Sequence, residues 1–290
     1  MLIQLFLSGI ATGSLYALIA LAMVLVYRSS KIPHFALGEI GMICAFLNYS
    51  LLQVGGMSRL MAFGGTLLLS ALMGIAFEFF ILRRAKQPDL LNLMIMTQGF
   101  QLALYGLAGW KWGADPRLLP APVWNDVSIG LGGGVVSGAD LLAVSILSCA
   151  VILLLILFRA TPVGLALRAA QQNWDAARFN GVRTSRLLGL TFAMSSVLGT
   201  MAALLIAPVT TLEPSLMWDP LIKGFAAAVL GGMTSPVGAL VGGWLLGILE
   251  NYFAAYIAAD FKSVVAFVII IVVLCIRPAG LLGRDYERKV

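Results

Sequence analysis

Charge is scarce in this chain. Asp, Glu, Lys and Arg make up 11% of its 290 residues, against 60% hydrophobic residues. Soluble domains carry about a quarter charged residues, so a water-soluble globule is excluded. Histidine is scarcer still, with His34 alone. Acid–base and nucleophilic catalysis need groups within hydrogen-bond reach, most often including an imidazole. Here Glu39, Glu78 and Glu250 are spread over different apolar runs, and no His-Glu-x-x-His, Gly-x-Ser-x-Gly or Walker A sequence occurs. An enzyme is therefore not expected, and any ATP that drives this protein must be hydrolysed by another chain. The three cysteines, Cys44, Cys149 and Cys275, each lie in an apolar run with no close spacing to one another or to His34. They imply neither a disulfide framework nor a metal site. The opening MLIQLFLSGIATGSLYALIALAMVLVY lacks a basic leader and outruns the about 7 to 15 apolar residues of a signal peptide, so it reads as a retained first span.

What the chain has is apolar length, with a mean hydropathy of +0.97. Runs near 2–27, 35–54, 59–82, 89–110, 139–158, 187–212, 221–233, 237–258 and 263–276 are separated by charge, Gly or Pro. A helix crosses the hydrocarbon core with about 20 residues, so most of the chain lies in the bilayer. The expected fold is all-α, a polytopic transmembrane helical bundle of eight or nine spans with broken helices, forming one integral membrane domain over 1–290. The breaks SSKIPHF and GGMTSP in its two halves are compatible with a distant internal repeat. The run 221–233 is short for a crossing and reads as half of a broken helix, a re-entrant element or a tilted span.

The net charge of +6 is a matter of topology, and no nucleic-acid partner is expected. With the loop after the first span inside, the cytoplasmic set is Arg28, Lys31, Arg83, Arg84, Lys86, Arg159, Arg168, Arg178, Arg183, Arg186, Arg277, Arg284, Arg288 and Lys289, fourteen of the 19 basic residues. This predicts an external N-terminus, a cytoplasmic C-terminus and an odd number of crossings. The external loop, about 111–138, holds Trp112 and Trp124 next to Trp110, aromatic residues of the kind that anchor at the interface. Its Gly130–Gly134 run has no Gly-Lys-Ser/Thr after it and reads as a flexible or hairpin connector.

The cytoplasmic loop, about 159–186, contains a helix with its own stops. Asn173 precedes Trp174, Asp175, Ala176, Ala177, Arg178 and Phe179, and Asn180-Gly181 follows. Asn173 is suited to accept from a free backbone N–H, Asp175 lies near the positive end of the dipole, and Gly181 can take the left-handed closing conformation. Two turns are unstable alone in water, so this helix must dock, either on the protein's own inner surface or on another chain.

Two breaks carry the remaining signal. His34, Phe35, Gly38 and Glu39 fall in or just after the first. Gly231, Gly232, Pro236 and Gly238 form the second, where a smooth helix is impossible and uncovered backbone is tolerated only against protein or a water-filled cavity. Transporters build solute paths from such elements, so these eight residues are candidate translocation-path residues, with tight packing as the alternative. Gly238 with Gly242, and Gly243 with Gly247, have the four-residue spacing that lets helices approach closely in lipid. Lys223 is expected to snorkel from an external helix end, Glu250 to sit at the interface or in helix packing, and Glu39 to face the interior and accept from a neighbouring helix.

The segments GIATGSLYALIALAMVLVYRSSKIPHFALGE, LRAAQQNWDAARFNGVRTSRLLGLTF, IKGFAAAVLGGMTSPVGALVGGWLLG and RPAGLLGR together resemble the LivH-type permeases of branched-chain amino-acid ABC importers. The resemblance covers nearly the whole chain in order. It implies a bacterial inner-membrane location, a related second permease of LivM type, two cytoplasmic ATPases that bind ATP and Mg, and a periplasmic solute-binding protein, with no cofactor on this chain. It also implies that Asn173 to Gly181 is the coupling helix seated on an ATPase. The family commonly has Asn-Phe-Ala-His/Gln-Gly-Glu where this chain has His34-Phe35-Ala36-Leu37-Gly38-Glu39, which opens the solute class beyond leucine, isoleucine and valine. A stand-alone secondary transporter or channel is the competing reading.

Overall fold

The computed structural model describes residues 2–53, 55–85, 89–120, 128–131, 134–257, 262–277 and 279–283. Eleven helices appear among them: α1 (Leu2–Ser30), α2 (Leu37–Gln53), α3 (Arg59–Phe80), α4 (Leu90–Trp112), α5 (Gly138–Ala160), α6 (Pro162–Gln172), α7 (Trp174–Phe179), α8 (Thr184–Ile206), α9 (Trp218–Gly231), α10 (Pro236–Tyr256) and α11 (Lys262–Ile276). A short hairpin, β1 (Ser128–Leu131) with β2 (Gly134–Ser137), lies between α4 and α5 and pairs Ser128 with Ser137 and Leu131 with Gly134. The all-α expectation is met, and each of the nine apolar runs coincides with a helix. The external loop closes as a hairpin at the glycine run, whose Gly132 and Gly133 lie outside the described residues, as do Lys86, Pro122, Trp124, Arg284, Arg288 and Lys289.

Six helices, α1, α3 with the turn through Arg84, α4, α5, α8 and α10, are long and apolar enough to cross a membrane. The other three runs give shorter helices of 17 residues for α2, 14 for α9 and 15 for α11. At about 1.5 Å per residue, α9 spans near 21 Å, short of a hydrocarbon core of about 30 Å. Leu68, Leu72, Leu102, Leu153, Phe267 and Ile271 stand exposed on α3, α4, α5 and α11, a surface that suits lipid rather than water.

Helix ends follow local chemistry. Ser58 caps α3, Asp89 caps α4, and Ser235 caps α10 by accepting from the Gly238 amide at 3.0 Å, with Pro236 in the first turn. Proline fits there because its missing N–H would have no helical partner anyway.

Contacts divide the chain into two compact units. One comprises Met1–Val24, Pro120–Leu147 and Trp218–Val290; the other comprises Leu25–Leu119 and Ser148–Met217. In the first, α10 is held through two glycine faces. A methyl at Gly243 would meet the Cα of Ala17 on α1 at 2.7 Å, and one at Gly242 would strike the Ala227 carbonyl and the Gly231 amide of α9. In the second unit α3 and α2 pack on α8. A methyl at Gly41 would meet the Gly199 carbonyl at 2.9 Å, and one at Gly74 would meet that of Phe192 at 2.6 Å. A polar seam accompanies this close approach: Ser70 and Thr200 share a 2.6 Å hydrogen bond, and Asn48 donates to Thr66 at 3.2 Å. Such bonds are worth about 0.6–2 kcal/mol each between helices in lipid.

Candidate functional site

The loop between α5 and α8 is built as a small folded element. Thr161 caps α6 through the Gly164 amide at 3.1 Å. Asn173 closes α6 and opens α7, its side-chain oxygen accepting from the Ala176 amide at 3.0 Å. Gly181, at φ +81°, turns the chain towards α8. The Asn173 and Gly181 ends of α7 are the ones that the residue order predicts; the Thr161 cap of α6 is an addition. The inner side of α7 is anchored by Ala177, buried with Leu167, Ala170 and Leu187 and covered by Val163, Ala166 and Val182. The outer side is open: Arg178 is exposed, and Phe179 is 91% exposed. The side chains of Trp174 and Asp175 lie outside the described residues. Phe179 thus presents a large apolar side chain at the surface of the loop.

The first break is sealed in its own unit. His34 is fully buried, stacked on Phe77 at 5.1 Å and edge-on to Phe192 at 4.9 Å, and neither ring nitrogen has a hydrogen-bond partner. Gly38 is buried, Phe35 half-buried, and Glu39 is buried and accepts from Gln101 of α4 at 3.1 Å.

The second break is covered by backbone from the tail. The amides of Leu281 and Leu282 donate to the carbonyls of Leu230 and Gly231 at 2.8 and 3.0 Å. This satisfies carbonyls that the end of α9 leaves open, as membrane depth requires. Gly232, at φ +104°, takes a left-handed conformation, and a methyl there would meet the Gly283 Cα at 2.7 Å. A methyl at Gly231 would strike the carbonyl of Gly238, and the reverse also holds. Pro236 is half-buried at the start of α10.

Among the charged residues, Glu39 and Glu250 take the interior helix-packing places expected of them, and Lys223 does not take the one expected of it. Lys223 does not snorkel: it is 5% exposed, and its Nζ lies 2.6 Å from both Asp219 Oδ2 and Glu250 Oε1. Glu250 is 1% exposed, with Lys262 Nζ 3.8 Å from the same oxygen. Ser263 donates to Asp219 at 2.7 Å, and Lys223 sits 5.7 Å above the Tyr16 ring. The cluster ties α1, α9, α10 and α11 together within one unit. The physical reason is cost: a charge in hydrocarbon stays buried only when paired. The signal was present in the sequence, since Asp219 and Lys223 are one helical turn apart and Glu250 supplies a balancing charge in the next apolar run.

Long apolar helices broken at glycine, interior charges paired and a folded loop between α5 and α8 are the features of a multi-pass membrane permease. Residues 5–274 match the family described as branched-chain amino acid transport system, permease component, and the chain belongs to that family. It is 28% identical to the high-affinity branched-chain amino acid transport system permease protein LivH of Escherichia coli K12, over 98% of this chain and 96% of that one. It is 31% identical to BraD, the corresponding permease protein of Pseudomonas aeruginosa, over 99% and 98%. Among solved structures, PsaBC from Streptococcus pneumoniae in complex with Fab shares the fold, with a TM-score of 0.52 at 13% identity over 95% of this chain and 91% of that one. The expectation of a LivH-type permease is met.

Proposed function

We propose that this chain is a permease subunit of an ATP-binding-cassette importer in the bacterial inner membrane, carrying branched-chain amino acids or a similar small organic solute. The observation that carries the coupling is α7. Its inner face is anchored by Ala177 to α6 and α8, while Arg178 and Phe179 project outward. A helix so short holds its shape only when docked, and its open face suits the cleft of an ATPase. The partners in this reading are a related second permease of LivM type, two cytoplasmic ATPases that bind ATP and Mg, and a periplasmic solute-binding protein. This chain holds no cofactor and performs no hydrolysis. Its N-terminus is external and its C-terminus cytoplasmic, in keeping with the basic loops. His34, Phe35, Gly38 and Glu39 in one unit, and Gly231, Gly232, Pro236 and Gly238 in the other, serve the solute path as hinge or lining elements, each of its own unit.

The test is co-purification of the detergent-solubilised chain with the ATPases, comparing wild type with the double variant Arg178→Ala/Phe179→Ala. Retention by wild type and loss by a folded variant supports the importer. No retention by either, with solute movement by the purified chain alone in liposomes, replaces it with a stand-alone transporter.

A further inference from the structure

Where α7 turns into α8, a cavity of about 660 Å³ is lined by Arg83, Arg178, Arg183 and Arg186, with Thr184 and Ser185 completing its polar wall. Among the described residues none of the four guanidinium groups forms an ion pair. Four cations converging on one cavity repel one another. Glu78, buried at the end of α3 and facing Gly189 of α8, offsets part of the Arg83 charge; the cations still outnumber it, and an anion from outside relieves the repulsion that remains. The cavity also faces the start of α8, where Arg183 supplies no side-chain cap to the first-turn amides, so the positive end of a 23-residue helix adds to the same field. Guanidinium groups bind phosphate oxygens in paired, planar fashion.

The level of the cavity identifies the source of the phosphate. Arg83 follows the end of α3, directly beyond Phe79 and Phe80, whose exposed rings lie 5.5 Å from the guanidiniums of Arg83 and Arg84 respectively. Aromatic rings beside basic residues at the end of an apolar helix mark the membrane interface, and Arg186 stands in the first turn of the apolar α8. Basic hollows between spans on the cytoplasmic side take acidic lipid headgroups. We propose that this cavity binds the phosphate headgroup of an anionic phospholipid of the inner leaflet, at the root of the coupling loop. The inner-leaflet assignment rests on the orientation given above; the binding site itself does not.

The test titrates short-chain phosphatidylglycerol, phosphatidylcholine and inorganic phosphate into the full chain in uncharged detergent and reads the unfolding temperature. It compares wild type with Arg83→Gln/Arg183→Gln/Arg186→Gln, which spares Arg178 and Phe179. Phosphatidylglycerol is expected to stabilise wild type, phosphatidylcholine and phosphate are not, and the variant should bind phosphatidylglycerol at least about tenfold more weakly. If the triple variant does not fold, native mass spectrometry of wild type and Arg186→Gln compares the phosphatidylglycerol each retains, and equal retention overturns the proposal. An equal response from variant and wild type overturns it as well. So does a response to inorganic phosphate as large as that to lipid, which would make this a free-anion site. Full lipid binding by a variant that no longer retains the ATPases would assign the arginines to protein docking. Lipid preference in detergent is independent of sidedness, so a failure of the orientation leaves this result standing.

Discussion

Separating Lys223 from Glu250 has a calculable consequence. Their side chains are 6% and 2% exposed and 2.6 Å apart. Removing one partner of a buried pair costs about 3–5 kcal/mol when the other is left uncompensated. The two deletions are not equivalent here. Glu250→Gln leaves Lys223 with Asp219 at 2.6 Å, a carboxylate 55% exposed that can reach water. Lys223→Met leaves Glu250 with only Lys262 at 3.8 Å. Glu250→Gln should therefore cost about 2 kcal/mol, below that range, and Lys223→Met about 3 kcal/mol, at its low end. The double variant should cost less than the sum by about 2 kcal/mol, because the second change removes the charge that the first left unpaired. Unfolding by dodecyl sulfate in mixed micelles measures this, with Trp244 as a reporter, since its Nε1 donates to Ser14 of α1 at 3.1 Å. Singles that add within about 0.5 kcal/mol would refute the argument and make the cluster a pair of independent, solvated charges.

Three further outcomes follow from the packing. Gly243→Leu should abolish the monodisperse peak in fluorescence-detected size exclusion, because its Cβ already meets Ala17 backbone, whereas Gly64→Ala should behave as wild type, with nothing within 4 Å of its Cβ. Asn173→Ala removes the cap of α7 and should cost about 1 kcal/mol of local helix stability, read as faster amide exchange over 174–179 with the bulk of α8 unchanged. His34→Phe replaces a ring whose nitrogens have no partner inside a Phe77–Phe192 cluster and should raise the unfolding temperature, since an unsatisfied buried polar group costs about 1–3 kcal/mol. A lower unfolding temperature would mean that His34 has a polar partner in the assembled protein.

Apolar length and local caps were legible in the sequence, and contacts between distant residues were not. The nine runs stand as helices because about 20 apolar residues have few alternatives. The ends of α7 were legible because Asn173 and Gly181 act on their own neighbourhood. The start of α6 also carries a local signal, Thr161-Pro162, outside the expected α7 segment. Lys223 departs from the snorkelling expectation because snorkelling is a property of one helix, whereas its pairing with Glu250 depends on how α9 and α10 pack. The tail segment around Gly280 gave no local hint that its amides close the end of α9.

In the proposed importer, the loop that carries α7 works through stiffness. A push on Phe179 can move a span only if the intervening contacts do not yield, and close-packed interiors transmit displacement well. Ala177 is locked among Leu167, Ala170 and Leu187, the last of which already belongs to α8. From α8 the contacts go to backbone: Gly74 of α3 fits against Phe192, and Gly41 of α2 against Gly199. Side chains can change rotamer under load, but contacts between helix backbones cannot, so α7, α8, α3 and α2 are suited to shift as one body within their unit. If α7 receives an ATPase as proposed, the glycines at 41, 74 and 199 matter as much to force transmission as the exposed face of α7, although none of them touches the ATPase in that reading.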